Sequence, residues 1–429
     1  MKKVAFEHIG ETVFEKKLAN GLQVVILPKP DFNKTFATFT TNYGSIDNQF
    51  IPIGKQEKIR VPDGIAHFLE HKLFEKEDGD VFQDFSKQGA SANAFTSFTR
   101  TAYLFSTTQD VKQNLMTLLD FVQEPYFTDQ TVEKEKGIIG QEIRMYDDNP
   151  DWRVYYGVIE NMYENHPVKI DIAGTVESIA EISKELLYEC YETFYHPSNM
   201  LLFVIGPVNE NKILHLVEEN QAKKSFKPEQ PIQRFFEREK SGVVQKKQVI
   251  SMAVKTPKCL VGFKENQVNR QGKEWIEHEL AVNLLLDLMF GQSSANYETL
   301  YEQGLIDSSF FYDYTEEQSF GFSVIGSNTE QPEKLSETLL TMVNDYRTKK
   351  INEEEFMRMK RKHIGTVLRS LNSLEFIANE YTRYQFNGMN LFNVTKVIGD
   401  LQSDYIESVL HDHFVEPSFT VCQVVPHSV

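Results

Sequence analysis

Apolar and polar positions in the first half of the chain repeat with two different periods, which predicts a mixture of strands and helices. Alternation of period two predicts strands in residues 14–30, where Asn20-Gly21 marks a hairpin turn, in 35–47 and in 89–108. Spacing of three and four predicts helices in residues 111–123 and from Thr131 to Asp148, where Asn149-Pro150 is a stop signal. The continuous apolar run of residues 199–208 predicts a strand buried on both faces.

The same order of elements recurs after a polar, charged segment. Strand, helix, strand, helix and strand patterns follow one another from residue 248 to the end. The predicted fold class is therefore α+β, with two similar α/β-sandwich domains, each an antiparallel sheet with helices packed on one face, as in a duplicated architecture. We predict an N-terminal domain at 1–225, a linker at 226–247 and a C-terminal domain at 248–429.

Composition narrows the classes of function. The 429 residues and 41% hydrophobic content allow two packed cores, and a net charge of -17 disfavours a nucleic-acid partner. No apolar stretch approaches the roughly 20 residues that cross a bilayer, so we expect no membrane insertion. The N-terminus has no apolar run of signal-peptide length, and we therefore expect a cytoplasmic protein.

Residues 63–75, DGIAHFLEHKLFE, bring two histidines and a glutamate into five positions. Asp63 is predicted to cap a helix that starts at Gly64, with the polar trio His67, Glu70 and His71 opposite its apolar arc. Imidazoles at i and i+4 lie one turn apart and can bind one zinc ion, with the glutamate beside it. The order HxxEH is the inverse of the HExxH zinc motif. The alternative is an amphipathic helix with surface histidines.

A third ligand is predicted on the helix from Thr131 to Asp148. A helical wheel places Glu135 and Glu142 on its apolar face, where a charge is costly unless it is paired or bound to a cation. Their neighbours on that face are Val132, Ile138, Ile139, Ile143 and Tyr146. A buried ion pair is the alternative for each carboxylate, and the two anomalies together favour zinc.

These residues resemble the pitrilysin/insulinase family of inverzincin zinc metallopeptidases, which includes the mitochondrial processing peptidases. The resemblance rests on HFLEH at 67–71, on Glu142 following His71 by 71 residues with Glu135 seven before it, and on the segments LANGLQVVILP, GASANAFTSFTRTAY and FYHPSNMLLFVIG. It covers the whole N-terminal half, whereas the second half fits the family's layout more than its motifs. The chain is most similar to the zinc-motif member of paired, processing-peptidase-like proteins of Gram-positive bacteria.

The resemblance implies a role for each of these residues. His67, His71 and Glu142 would be ligands of Zn²⁺, Glu70 the general base, and Glu135 a support behind the ligands. Asn93 and Ala94 would lie on a strand that pairs with an extended peptide substrate. The implied activity is that of a zinc-dependent endopeptidase.

One part of the family pattern is missing. Active single chains and homodimers carry an arginine and a tyrosine in the second domain, but the matching segment here, LYEQGLIDS at 300–308, has Tyr301 at the arginine position and Asp307 near the tyrosine position. Three explanations stay open: a partner chain supplies both groups in a heterodimer, the chain works weakly as a homodimer or monomer, or it is a catalytically weak or inactive metal-binding scaffold.

Two further features bear on the site. Trp152, after the stop signal, either lines the cleft beside the metal-binding helix or plugs the core. His411 and His413 are two positions apart and point in different directions on a helix, so we predict solvated helix-end residues and no metal site there.

Overall fold

The computed structural model describes residues 1–77 and 79–427. Its strands are β1 (Lys2–Phe6), β2 (Glu11–Lys17), β3 (Gln23–Pro28), β4 (Thr35–Thr41), β5 (Gln49–Ile51), β6 (Ile59–Arg60), β7 (Glu75–Lys76), β8 (Gly79–Asp80), β9 (Ala90–Thr96), β10 (Thr101–Thr107), β11 (Met200–Gly206), β12 (Gln233–Arg234), β13 (Lys247–Met252), β14 (Lys258–Lys264), β15 (Phe311–Glu317), β16 (Phe320–Asn328) and β17 (Phe419–Pro426).

The helices occur in runs between groups of these strands. They are α1 (Ile65–Phe74), α2 (Val81–Lys87), α3 (Val111–Gln123), α4 (Asp129–Asp147), α5 (Pro150–Met162), α6 (Val176–Ala180), α7 (Lys184–Phe194), α8 (Glu210–Gln221), α9 (Gly272–Phe290), α10 (Ala295–Glu302), α11 (Pro332–Arg347), α12 (Glu353–Ser370), α13 (Leu374–Phe386), α14 (Val394–Asp400) and α15 (Ser403–His413). Among the described residues, none of them combines the length and the apolar character needed to span a membrane.

Two large sheets confirm the α+β fold class. The first has the order β1-β2-β3-β11-β4-β10-β9, and the second has the order β13-β17-β14-β16-β15. Each is antiparallel except for one parallel pair, β3 with β11 and β13 with β17. The continuous apolar run predicted to be buried on both faces is β11, every residue of which is buried. Strand β9 is an edge of the first sheet, which leaves one side of its backbone unpaired.

Each domain contributes one helix to the other domain's sheet. Helix α5 packs on β14 and β17, where Val158, Ile159 and Met162 join an apolar cluster with Val324 and Val424 of the second sheet. Helix α13 packs on β4 and β11 in return. Helices therefore cover both faces of the first sheet, whereas the sequence predicted helices on one face.

The segment predicted as a linker is held against the first domain. Its residues Gln233 and Arg234 form β12, which pairs with β5. The Arg234 Nε atom also donates to Asp47 Oδ1 at 2.8 Å, and both side chains are largely withdrawn from solvent. A charged pair of this kind fixes the path of the segment.

A buried polar cluster in the second domain corrects the prediction for His413, whereas His411 is exposed as expected. The His413 side chain is fully buried, its Nδ1 lies 3.1 Å from Glu265 Oε2, and its Nε2 lies 2.9 Å from the Ser323 hydroxyl. Burial alone raises the pKa of Glu265, but the hydrogen bond from His413 and the charges of His413 and His278 outweigh it and lower that pKa to about 2. The sequence did not reveal this, because His413 is buried by strands that are distant from it in the sequence.

His413→Gln is expected to destabilise the protein by about 3 kcal/mol, because it removes one partner of a buried carboxylate. His411→Gln, on the exposed side of the same helix, is the matched control and should change stability by less than about 0.5 kcal/mol. Urea unfolding curves of the two variants measure the difference. Equal midpoints would show that His413 does not stabilise Glu265.

Candidate metal centre

Helix α1 carries HxxEH and begins at a glycine that no other residue could replace without strain. Gly64 has a φ of 88°, and a Cβ there would lie 2.3 Å from the carbonyl oxygen of Ala173. Gly174 faces Gly64, and a Cβ on Gly174 would lie 2.4 Å from the carbonyl oxygen of Asp63. The predicted cap is wrong: Asp63 Oδ1 accepts from Asn48 Nδ2 at 2.8 Å and does not bond to the helix.

Helix α4 carries the two predicted carboxylates and begins earlier than expected. The Thr128 hydroxyl accepts from the Thr131 amide at 3.2 Å in a reciprocal capping box, so the helix starts at Asp129. Glu135 is buried and Glu142 is half-buried, which agrees with their predicted face. Ile138 was placed on the same face but is 46% exposed, because it borders a groove that is open to solvent.

The structure brings His67, His71 and Glu142 together between α1 and α4. One donor atom from each lies within 4.8 Å of the others. His67 Nε2 is 3.7 Å from Glu142 Oε1, and His71 Nε2 is 3.6 Å from Glu142 Oε2. Glu135 lies behind them, with its Oε1 3.0 Å from His71 Nδ1.

This donor set fits a zinc ion. A tetrahedral ion with bonds of about 2.0–2.1 Å holds its ligand atoms about 3.3 Å apart, close to the observed separations. When His71 donates its Nδ1 proton to Glu135, its Nε2 keeps the lone pair that a metal needs, and the carboxylate fixes the ring. The three side chains are thus able to hold a divalent ion; their role as ligands stays a prediction.

The pKa values of the two imidazoles shift in opposite directions. Burial, with a smaller contribution from His71, lowers the pKa of His67 to about 4, so its ring is neutral at physiological pH. Burial also opposes protonation of His71, but the hydrogen bond to Glu135 and the surrounding carboxylates outweigh it and raise the pKa of His71. The carboxylates around His71 thus favour a positive charge at this position, as they would favour a bound cation.

Glu70 projects from α1 beside this donor set. Burial raises its pKa to about 6, although the Thr96 hydroxyl, which donates to Glu70 Oε2 at 2.5 Å, opposes the shift. Thr96 belongs to β9, so the hydrogen bond ties the edge strand to the helix that carries the motif. The sequence analysis missed Thr96, since its contact with Glu70 is a tertiary one.

Asn93 and Ala94 lie on β9, at the open edge next to Glu70. The amide of Ala94 donates to the Asn93 side chain at 2.9 Å and not to the neighbouring strand β10. That amide therefore faces the free edge of the sheet, where an added strand would find it. A groove of about 770 Å³ continues from this edge between α1 and α4, with Phe74, Phe82 and Ile138 in its lining.

Tyr146 and Trp152 complete the surroundings of Glu142. The Tyr146 hydroxyl donates to Glu142 Oε1 at 2.6 Å, and burial together with that carboxylate raises the tyrosine pKa. Trp152 stacks on the Tyr146 ring with centroids 4.6 Å apart. Trp152 thus packs beside α4, and whether it lines the cleft stays a prediction. The helical wheel placed Tyr146 near Glu142, but it could not show the hydrogen bond.

The substitutes for the missing arginine and tyrosine lie in the second domain. Tyr301 is 61% exposed near the end of α10, with its ring parallel to that of Tyr297. Asp307 follows in a loop, where its carboxylate accepts from the Ser309 amide at 2.8 Å. Neither side chain offers a cationic group.

Comparison with known proteins identifies the family. A model described as Insulinase (Peptidase family M16) matches residues 50–176, and one described as Peptidase M16 inactive domain matches residues 181–362. The chain is 58% identical over 428 residues to a Bacillus subtilis protein called uncharacterized zinc protease YmfH, and the match covers 100% of both. The chain belongs to the M16, or insulinase, family of zinc peptidases.

Solved structures agree with this assignment. A putative M16-like peptidase from Alicyclobacillus acidocaldarius superposes with a TM-score of 0.94 at 40% identity, covering 97% of this chain and 98% of that one. A protease from Helicobacter pylori has the same fold, with a TM-score of 0.84 at 19% identity over 96% of this chain and 99% of its own. Pitrilysin has a TM-score of 0.76 at 16% identity, and this chain spans 45% of its length.

Purified chain is expected to retain about one equivalent of zinc, and His71→Ala is expected to weaken zinc binding by more than about 100-fold, because it removes a ligand rather than an outer partner. His215→Ala is the matched control, since His215 is an exposed histidine that pairs with Glu219 one turn away, at 3.2 Å. Elemental analysis after dialysis against a chelator measures the difference. Equal zinc in both variants would place the metal elsewhere.

Proposed function

We propose that this chain is a zinc-dependent endopeptidase that cleaves extended peptides and works with a partner subunit. In this proposal His67, His71 and Glu142 hold the zinc, Glu70 is the general base, and Glu135 orients His71. The observation that carries it is the convergence of two imidazoles from α1 and one carboxylate from α4 within 4.8 Å. Membership of a zinc peptidase family supports the same reading.

The chemistry follows from the positions of these groups. Bound zinc would polarise the scissile carbonyl and lower the pKa of a bound water to about 7. Glu70 would accept the proton of the attacking water and pass it to the leaving amine, a role for which a pKa of about 6 is suited. Thr96 holds the Glu70 carboxylate toward the metal site while this happens.

A peptide in the extended conformation fits the open edge of β9. The free amide of Ala94 and its neighbours would pair with the substrate backbone, and Asn93 would release that amide when the peptide arrives. Main-chain pairing binds peptides with little demand on their sequence. The groove next to this edge has an apolar lining that can receive a substrate side chain.

The partner is proposed because the segment that carries the family's arginine and tyrosine has neither at the matching positions in this chain. Residues 300–308 contain no arginine or lysine, and Tyr301 projects into solvent. Loss of one donor to the developing oxyanion costs on the order of a hundredfold or more in rate. A second M16 chain that carries the arginine and tyrosine would restore these contacts.

The alternative is a catalytically weak or inactive metal-binding subunit of a heterodimer. It is supported by the match of the second domain to the M16 inactive-domain description and by the missing arginine. In that case the fold would serve an interaction. Cellular function would then survive a change of Glu70.

Glu70→Gln is expected to lower peptide cleavage by about 10²–10⁴-fold, because the amide cannot accept the proton of the attacking water. Zinc content should stay unchanged, since Glu70 is not a proposed ligand. Glu133→Gln removes an exposed carboxylate on α4 and is the matched control. Cleavage of a quenched fluorescent peptide measures both, and undiminished cleavage by Glu70→Gln would refute the hydrolase proposal.

Addition of a zinc-less M16 chain that carries the arginine and tyrosine is expected to raise the cleavage rate by about 100-fold or more. The same partner with its arginine changed to alanine should give much less activation, although it still binds. Steady-state cleavage at increasing partner concentration measures the effect. Full activity of the isolated chain, unaffected by the partner, would exclude the need for one.

A further inference from the structure

The carboxylate of Glu142 has a hydrogen-bond donor on its own helix. Tyr146 lies one turn beyond it, and the Tyr146 hydroxyl donates to Oε1 at 2.6 Å. The other oxygen, Oε2, lies 3.6 Å from His71 Nε2. Oε1 also faces an imidazole, at 3.7 Å from His67 Nε2, so the hydrogen bond from Tyr146 is what distinguishes the two carboxylate oxygens.

The tyrosine ring is itself held in place. Trp152 stacks on it at an angle of 16° between the ring planes, and Trp152 Nε1 donates to the Asp171 carboxylate. Asp171 also accepts from the Ala173 amide at 2.9 Å. Ala173 precedes Gly174, which packs against the first residues of α1. One loop, residues 171–174, thus positions both the helix of the imidazoles and the tyrosine at the third ligand.

We propose that Tyr146 is a positioning residue for the metal ion, engaging Glu142 Oε1 so that Oε2 is the oxygen offered to zinc. The inference rests on the proposed function, in which Glu142 is a ligand. A tetrahedral zinc with two imidazoles and one carboxylate oxygen keeps its fourth position for water. A carboxylate that bound through both oxygens would crowd that position.

The hydrogen bond from Tyr146 to Glu142 favours zinc binding because it orders the carboxylate before the ion binds. A free glutamate side chain loses rotamer entropy when it is fixed. Glu142 also lies in the last two turns of α4, which ends at Asp147, and helix ends fray. The hydrogen bond from Tyr146, supported by the Trp152 stack, fixes the ligand before zinc binds.

Tyr146→Phe tests the inference, because it removes the hydroxyl and keeps the ring that stacks on Trp152. The zinc dissociation constant is expected to rise about 10–100-fold, the usual effect of losing a partner of a metal ligand. Competition with a chromophoric chelator measures this without any peptidase assay. Tyr297→Phe is the control, since that ring lies in the second domain beside Tyr301 and should leave zinc affinity unchanged.

Cobalt substitution gives a readout that a merely structural role would not change. Replacement of zinc by Co²⁺ is expected to give weaker visible absorption bands in Tyr146→Phe than in the wild type, because a second carboxylate oxygen raises the coordination number. Identical cobalt spectra and equal zinc affinities would overturn the positioning role and leave the proposed function intact. A wild-type chain that binds no zinc would overturn both.

Discussion

Three carboxylates and two imidazoles share one largely buried pocket between α1 and α4. The negative charge of these carboxylates is the constraint to which the neighbouring side chains respond. The carboxylates of Glu70, Glu135 and Glu142 lie close enough together to favour a positive charge among them. Burial raises the pKa of Glu70, whereas the hydrogen bond to Glu135 and the nearby carboxylates raise the pKa of His71 against the effect of burial. In the proposed function a divalent ion held by His67, His71 and Glu142 would supply that positive charge, with Glu70 and Glu135 beside it.

The parts of this site that could be predicted are those set by local geometry. The i, i+4 spacing of HxxEH alone places two imidazoles one turn apart on a helix. The apolar face of α4 likewise shows that Glu135 and Glu142 point inward. The cap at Asp63 was mistaken because the start of α1 is determined by the approach of Gly64 to Gly174, 110 positions away. Thr96 and Trp152 likewise reach the site through tertiary packing.

The second domain also contains a residue whose surroundings depend on tertiary packing and could not be predicted from the sequence. His413 looked like a solvated helix-end residue because its spacing from His411 carries no information about what covers it. In the structure Glu265 lies between His278 and His413, and Arg270 pairs with Glu316 at 2.8 Å. These groups satisfy one another directly, whereas the donors of the first domain stay about 3.6 Å apart. Similar residue types give an ionic core in one domain and a candidate metal centre in the other.

The exchange of α5 and α13 between the two sheets has a consequence for the chain as a whole. Cutting the polypeptide between residues 226 and 247 would leave each fragment with a bare apolar sheet face, because the helix that covers it belongs to the other fragment. Neither half should be soluble by itself, whereas co-expressed halves should reassemble. The connecting segment is therefore not expected to act as a hinge, because the exchanged helices join the two sheets on both sides of it.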